Sequence, residues 1–165
     1  TMESLYEGKI DFGVVSTPLK PRPEVKMTPV RKIRNVFVAG ERFAYLKGKT
    51  LEYESLLTLP CILLEPRTST RTFLDEFLAE NQVKLAPEFE LATSDMIVQF
   101  ALRNLGIGGV VWDFAREKLE SGELFELKFL REMPEREFCI VTDKRNPMSP
   151  AGRRLLGMMI EHEEC

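Results

Sequence analysis

Three hydroxyl clusters stand out among the residues able to do chemistry: Ser16-Thr17, Thr68-Ser69-Thr70 and Thr93-Ser94. Each follows a short run that reads as a strand, and the second and third also open a helical pattern. In open parallel sheets, ligands bind beyond the carboxyl ends of strands. Helix N-termini at that place present N–H groups without intrahelical partners and a field that favours an anion. Hydroxyls beside such N–H groups make a cradle for a carboxylate or another small anion. Arg67 and Arg71 flank the second cluster and could add a guanidinium fork. Against this stands the commoner use of Ser and Thr as plain helix caps, and plain solvation for the two arginines. Trp112, the only tryptophan, follows a strand and precedes a helix beside Asp113. It either lines a pocket or packs between layers.

Other chemistry is poorly provided for. The chain has no GxSxG, HExxH, P-loop or dinucleotide glycine fingerprint. Gly106-Ile107-Gly108-Gly109 follows a helix and enters a strand, the reverse of what a phosphate loop needs, and reads as a tight helix-to-strand turn. His162, the single histidine, sits in an acidic tail and reads as a surface residue. Glu76 with Glu80, and Glu117 with Glu120, read as solvated helix faces rather than acid/base pairs. Asp11, flanked by apolar residues, reads as a structural hydrogen-bonding group. The three cysteines, Cys61, Cys139 and Cys165, form no CxxC, and with one histidine they leave no Cys/His zinc site. Cys61 and Cys139 lie in apolar runs and read as buried, reduced thiols. No catalytic residue, metal or cofactor is expected.

Composition bounds the class. Of 165 residues, 44% are hydrophobic and 30% charged, enough for a folded core without a metal or disulfide. The net charge is −3, and the one basic cluster, Arg31, Lys32 and Arg34, is too short to neutralise a phosphate backbone. The chain is not expected to read DNA itself. No apolar stretch is long enough to span a bilayer and no signal peptide is visible, so a cytoplasmic place is expected.

The elements that must position these residues alternate. A short helix over 2–7 ends at Gly8, and a buried strand covers 10–15. Four prolines between 18 and 29 predict an extended loop. A strand over 34–39 follows, then a helix over 50–59 with Leu51, Leu56, Leu57 and Leu59 as its apolar face. Further strands are predicted at 61–65, 88–92, 107–111, 124–130 and 137–142. Helices are predicted at 71–81, 95–103 and 114–119, and a last helix opens at Ser149-Pro150. Strand–helix alternation through the middle predicts a parallel sheet built from βαβ units.

The order of segments resembles one known family. Leu5 through Val15, with Gly8 and Asp11, resembles the "L..G.iD.gi" signature of LysR-type effector domains. Residues 56–64, the helix start at 69–77, the stretch 94–111, Gly122-Glu123-Leu124 and Ser149-Pro150-Ala151 are similar to that family's later motifs, in the same order. Two departures are Asn104 where glycine is usual and Val111 where proline is usual. The resemblance implies an α/β fold like the type 2 periplasmic binding proteins, with two lobes of parallel or mixed sheet joined by two crossover strands. It puts the crossovers near 30–38 and 136–142, the first lobe at 1–36 with 137–165, and the second at 37–136. The effector would sit in a cleft lined by Ser16, Thr17, Thr68, Ser69, Thr70, Val111 and Trp112. The first lobe would be incomplete, and the family's winged helix-turn-helix would lie outside this chain. Open strand edges in that lobe favour pairing, so a homodimer or higher oligomer is expected.

The expected function is ligand sensing. A small, anionic effector would bind this domain, and DNA would be contacted only by the separate domain. The alternative is a solute-binding protein of a transporter, which shares the fold but requires export, against which three unpaired cysteines argue. An enzyme on the same fold would need an acid, base or nucleophile in the cleft, where the candidates are hydroxyls without a histidine partner.

Overall fold

The structure, a computed structural model, describes residues 1–161. In chain order its elements are α1 (Met2–Tyr6), β1 (Phe12–Ser16), β2 (Val25–Ile33), β3 (Asn35–Ala39), β4 (Thr50–Leu51), β5 (Cys61–Leu64), α2 (Ser69–Glu80), β6 (Phe89–Leu91), α3 (Ser94–Leu102), β7 (Ile107–Val111), α4 (Trp112–Glu120), β8 (Phe125–Glu126), β9 (Lys128–Phe129), β10 (Arg136–Asp143) and α5 (Pro150–Glu161). Two 3-10 segments, Glu41–Leu46 and Tyr53–Thr58, flank β4. The chain divides into two compact units: Thr1–Lys32 with the segment from Arg136 onward, and Ile33–Glu135. His162 and Cys165 lie outside the described residues.

The larger unit, 33–135, is built on a sheet of strand order β6-β5-β7-β3-β8. β5 pairs in parallel with both β6 and β7, while β3 runs antiparallel to β7 and to β8. All four residues of β5 are buried, as both faces of a helix-covered sheet require. Cys61 and Leu63 point to one core with Phe37, Tyr53, Leu74, Phe77 and Leu78; Ile62 and Leu64 point to the other with Val38, Ile97, Ala101 and Val110. The two-residue period of the strand thus sorts one tetrapeptide into two cores. α2 covers the first face and α3 with α4 covers the second.

β7 lets those layers close. A Cβ on Gly108 would come within 2.7 Å of Ile97 Cγ2 in α3, and one on Gly109 within 2.7 Å of Leu63 Cδ2 and 3.2 Å of Leu74 Cδ2. Only Gly106 serves the turn into the strand; Gly108 and Gly109 lie within it and set the spacing of the layers. Gly106 itself lies against the Pro60 carbonyl, 2.6 Å from an added Cβ, and that carbonyl accepts from Ile107 N at 2.7 Å.

The smaller unit has the strand order β1-β10-β2. β1 runs antiparallel to β10, with Val14 opposite Ile140. β1 is at the edge of this order, and Val14 is 45% exposed. Leu5, Val25 and Val141 form its core. Asp11 joins the start of the unit to its last helix: its carboxylate accepts from Ser149 N at 3.0 Å and from Ser149 Oγ at 2.5 Å. Ser149 Oγ in turn caps α5 by accepting from Gly152 N at 3.0 Å. The structural role expected for Asp11 is the one observed.

Three elements differ from expectation. Residues 50–59 form β4 and a 3-10 segment rather than an α-helix. Thr50 and Leu51 pair in parallel with Lys128 and Phe129, Leu57 is 55% exposed beside a buried Leu56, and Pro60 closes the segment. The proline-rich stretch becomes extended strand from Val25 onward, with Pro29 inside β2. β2 is the outer strand next to β10, so a missing N–H there need not break a ladder. The strand expected over 124–130 splits at the buried Leu127, because β8 pairs with β3 while β9 pairs with β4.

Two measurements test this packing. Gly106→Ala is expected to lower stability by about 2 kcal/mol, because a backbone carbonyl must move; urea unfolding with an unchanged midpoint would refute the close approach. Asp11 has its pKa lowered, first by the Ser149 side chain and then by the Ser149 backbone N–H. Its contribution is therefore present above the unfolded carboxylate pKa and is lost as pH falls through the folded value. Acid unfolding should be less steep in Asp11→Asn than in the parent chain.

Candidate functional site

The parallel run β6-β5-β7 puts three carboxyl ends on one edge of the larger unit's sheet, and α2, α3 and α4 all begin there. Thr68 follows β5 and caps α2: its hydroxyl accepts from Arg71 N at 3.1 Å and lies 3.3 Å from the Glu65 carbonyl. Ser69 and Thr70 form the first turn of α2. Thr93 caps α3 by accepting from Met96 N at 3.4 Å. Val111, 3% exposed, ends β7 and stands at the cap position of α4 without a side-chain cap. Trp112 opens α4, packs partly buried on the α3/α4 core, and donates its backbone N–H to Arg34 O at 2.8 Å.

These three helix starts are not equivalent. The first turn of α3 carries Asp95 and that of α4 carries Asp113, whereas α2 has no acidic residue there. A carboxylate in the first turn already uses the positive end of the helix and repels a second anion. The α2 start, with three consecutive hydroxyl residues, is electrostatically the best placed of the three for an anion.

The arginines have other work. Arg71 is 8% exposed, and its Nε reaches both carboxylate oxygens of Asp75 at 3.0 and 2.9 Å. Its Nη1 donates to Leu64 O at 2.7 Å and to Glu90 Oε1 at 2.9 Å. Burial opposes its charge, but the Glu90 and Asp75 carboxylates hold its pKa above the ordinary guanidinium value. Arg71 therefore clamps α2 to β5 and β6, the structural use that sequence reading had passed over in favour of surface solvation or an anion fork. Arg67 is exposed and adopts φ 76° in the turn before Thr68. Arg34 lies 5.7 Å over the Trp112 ring and pairs with both Glu126 oxygens at 2.6 and 3.2 Å.

Ser16 and Thr17 belong to the smaller unit, at the end of β1. Ser16 Oγ accepts from Arg136 Nη1 at 3.1 Å, and Thr17 Oγ1 accepts from Glu137 N at 2.8 Å. Of the seven expected residues, five thus share one sheet edge of the larger unit and two lie at a strand end of the smaller one. Asn35 was missed: it is 7% exposed, pairs in register with Val111, and stands at the same edge. Its position at the head of an apolar strand hid it. Arg136 was missed because it reads as the entry to a crossover strand.

A cavity of about 740 Å³ lies in the larger unit, bordered by Arg34, Phe37, Tyr53, Glu126, Phe129 and Met133. It contains Asn35 but none of the seven expected residues. Its charges are of both signs, Arg34 and Glu126 already pair, and the Tyr53 hydroxyl donates to Arg131 O at 2.9 Å. Its Arg34, Glu126 and Tyr53 groups are already engaged with one another or with backbone, so the strand-end edge, where three helices begin, is the better candidate for an anion. Burial pushes the Tyr53 phenol and the Cys61 thiol each up to about 12, which leaves both protonated and unreactive at neutral pH. Among the described residues, no group of three His, Cys, Asp or Glu side chains could hold a metal ion, and no helix is long and apolar enough to cross a membrane.

Comparison with known proteins decides the family. The LysR substrate binding domain family model matches residues 1–164. The chain belongs to that family. The HTH-type transcriptional activator CmpR of Synechocystis sp. is 26% identical over 131 residues, 79% of this chain and 43% of that protein. The chain thus spans less than half the length of this curated relative. The effector binding domain of QuiR in complex with shikimate matches with a TM-score of 0.78 at 16% identity, covering 99% of this chain and 76% of that one. The CcmR regulatory domain of Synechocystis PCC6803 in complex with 2-PG matches with a TM-score of 0.78 at 19% identity, covering 98% and 77%. The fold of this LysR-type effector domain is therefore the type 2 periplasmic-binding-protein-like α/β fold, and the family is one of transcriptional regulators rather than transporter components.

The clamp gives a direct test. Arg71→Ala should cost about 2 kcal/mol, since a buried, hydrogen-bonded guanidinium is lost while its carboxylate partners stay half exposed to water. Urea unfolding measures it, and a cost below about 0.5 kcal/mol would mean that the network holds nothing in place.

Proposed function

We propose that this domain senses a small anionic effector through Ser16, Thr17, Thr68, Ser69, Thr70, Val111 and Trp112. The observation that carries the reading is the start of α2: three hydroxyl residues on a helix N-terminus with no acid in its first turn, at the carboxyl edge of a parallel sheet. The QuiR domain is bound to shikimate and the CcmR domain to 2-PG, which supports a small oxygen-rich ligand for this fold. The whole protein, like the HTH-type activator CmpR, would contact DNA through a winged helix-turn-helix outside this chain. It would act in the cytoplasm, as a homodimer or higher oligomer, and without catalysing a reaction. The effector would work by binding one conformation better than another, which a coupling of about 1–3 kcal/mol suffices to transmit.

Thermal melting of the chain against shikimate, 2-PG, benzoate and citrate tests this reading. A ligand at one hundred times its Kd should stabilise the fold by about 2.7 kcal/mol. Thr68→Ala/Ser69→Ala is expected to lower the ligand-free melting temperature slightly, through the lost cap of about 1 kcal/mol. It should also abolish the ligand-induced shift. A shift that survives in the double variant would remove the α2 start from the site.

A further inference from the structure

The cavity of about 740 Å³ in the larger unit is of a size that takes a small organic molecule, and every residue bordering it lies within 33–135. Its wall includes three aromatic rings. Tyr53 and Phe129 stack with centroids 4.2 Å apart and planes 5° from parallel, and Phe37 meets Phe129 edge-on at 5.6 Å. These rings are held in place by the fold itself. The Tyr53 hydroxyl donates to Arg131 O at 2.9 Å, Phe129 sits opposite Leu51 in the β4–β9 pairing, and Leu127 N donates to Phe37 O at 2.9 Å. Phe129 and Met133 are only partly buried, so apolar surface on this wall stays within reach of water.

We infer that this cavity is a second ligand site, separate from the strand-end edge, and that it takes an uncharged, flat aromatic molecule. The charges on its wall argue for a neutral ligand. Arg34 is engaged by both Glu126 oxygens, at 2.6 and 3.2 Å, and its guanidinium lies 5.7 Å over the Trp112 ring. The other ionisable groups at the border, Lys128, Glu132 and Glu135, are again of both signs. An entering anion meets three glutamates and an entering cation meets Arg34 and Lys128, so neither sign finds a field of its own. Either ion would also lose hydration against an aromatic wall, a far larger cost than for a neutral ring. A neutral ring covers the apolar surface of Phe129 and Met133 and gains offset or edge-on contact with rings already fixed. The Met133 thioether, unbranched and polarisable, adapts to the edge of such a ring. The start of α2 has the opposite chemistry, hydroxyls on a helix end that favours an anion.

The experiment is an NMR titration of the chain, labelled at its methionine methyl groups, with naphthalene-2-carboxamide and with naphthalene-2-carboxylate as the matched anion. The Met133 methyl resonance is assigned by its loss in Met133→Leu. The carboxamide should give intermolecular NOEs from its ring protons to the Met133 methyl, and should saturate that resonance at least about tenfold more tightly than the carboxylate. Met133→Trp, which fills the cavity, should weaken the carboxamide at least about tenfold in a calorimetric titration. Carboxylate binding that leaves the Met133 methyl unmoved supports the separation of the two sites. Carboxamide binding without an NOE to Met133, or with unchanged affinity in a folded Met133→Trp, overturns the inference. Equal movement of the Met133 methyl by both ligands overturns the neutral ligand class and with it the inference. Failure of naphthalene-2-carboxamide, indole and 2-naphthol alike to bind the parent chain also overturns it. Where Met133→Trp does not fold, the NOE in the parent chain decides.

Discussion

β5 is hydrogen-bonded by parallel strands on both sides and packed on both faces, and this double enclosure constrains the rest of the larger unit. A strand so placed has no polar face, so helices must cover both sides. Parallel neighbours require crossover connections, so each helix starts where a strand ends, and three helix N-termini arrive at one edge. The location of the hydroxyl turns follows from that topology and from no special property of the turns. The two glycines inside β7 then decide how near the layers lie, since Ile97 on one side and Leu63 with Leu74 on the other occupy the space a Cβ would need.

The Arg71 clamp links this architecture to the chemistry of the edge. By holding Leu64 O, Glu90 and Asp75 at once, it fixes the end of β5, the strand beside it and the second turn of α2. Thr68 is thereby set at the cap with its hydroxyl already oriented by the Arg71 backbone N–H. If the proposed effector binds here, an edge held this way would lose little freedom on binding, which favours affinity. In the smaller unit, the end of β1 is held by the reciprocal hydrogen bonds of Thr17 and Glu137.

Much of this was legible in the sequence, and the failures have physical causes. The all-apolar Cys61-Ile62-Leu63-Leu64 and the helical spacing of Phe73, Leu74, Phe77 and Leu78 left little choice of element, because each pattern satisfies only one period. The motif order gave the family and its fold. The segment 50–59 misled because its leucines suit a helix face, while the strand pairing of Thr50 and Leu51 depends on Lys128 and Phe129, far along the chain. Pro29 was misplaced for a similar reason: whether a strand can hold proline depends on its place in the sheet. Arg71 and Arg136 could not be told apart from surface arginines, since burial of a charge is decided by partners that only the fold assembles. Arg71 lies in the first turn of α2 with Asp75 and Glu90 among its partners, and Arg136 opens β10 with Ser16 Oγ and Thr17 O among its partners.

Cys61 has a consequence of a different kind. Its Sγ rests against the carbonyls of Leu56 and Leu59 at 3.6 and 3.5 Å, and burial, with Glu88 adding to it, keeps the thiol protonated far above neutral pH. Oxidants and alkylating agents attack the thiolate, so this sulfur is chemically silent while β5 stays in the sheet. Once the strand separates from its neighbours, the thiol regains an ordinary acidity and becomes reactive. β5 thus carries its own clock: the labelling rate of one atom counts how often this strand leaves the sheet, without any probe having to be introduced.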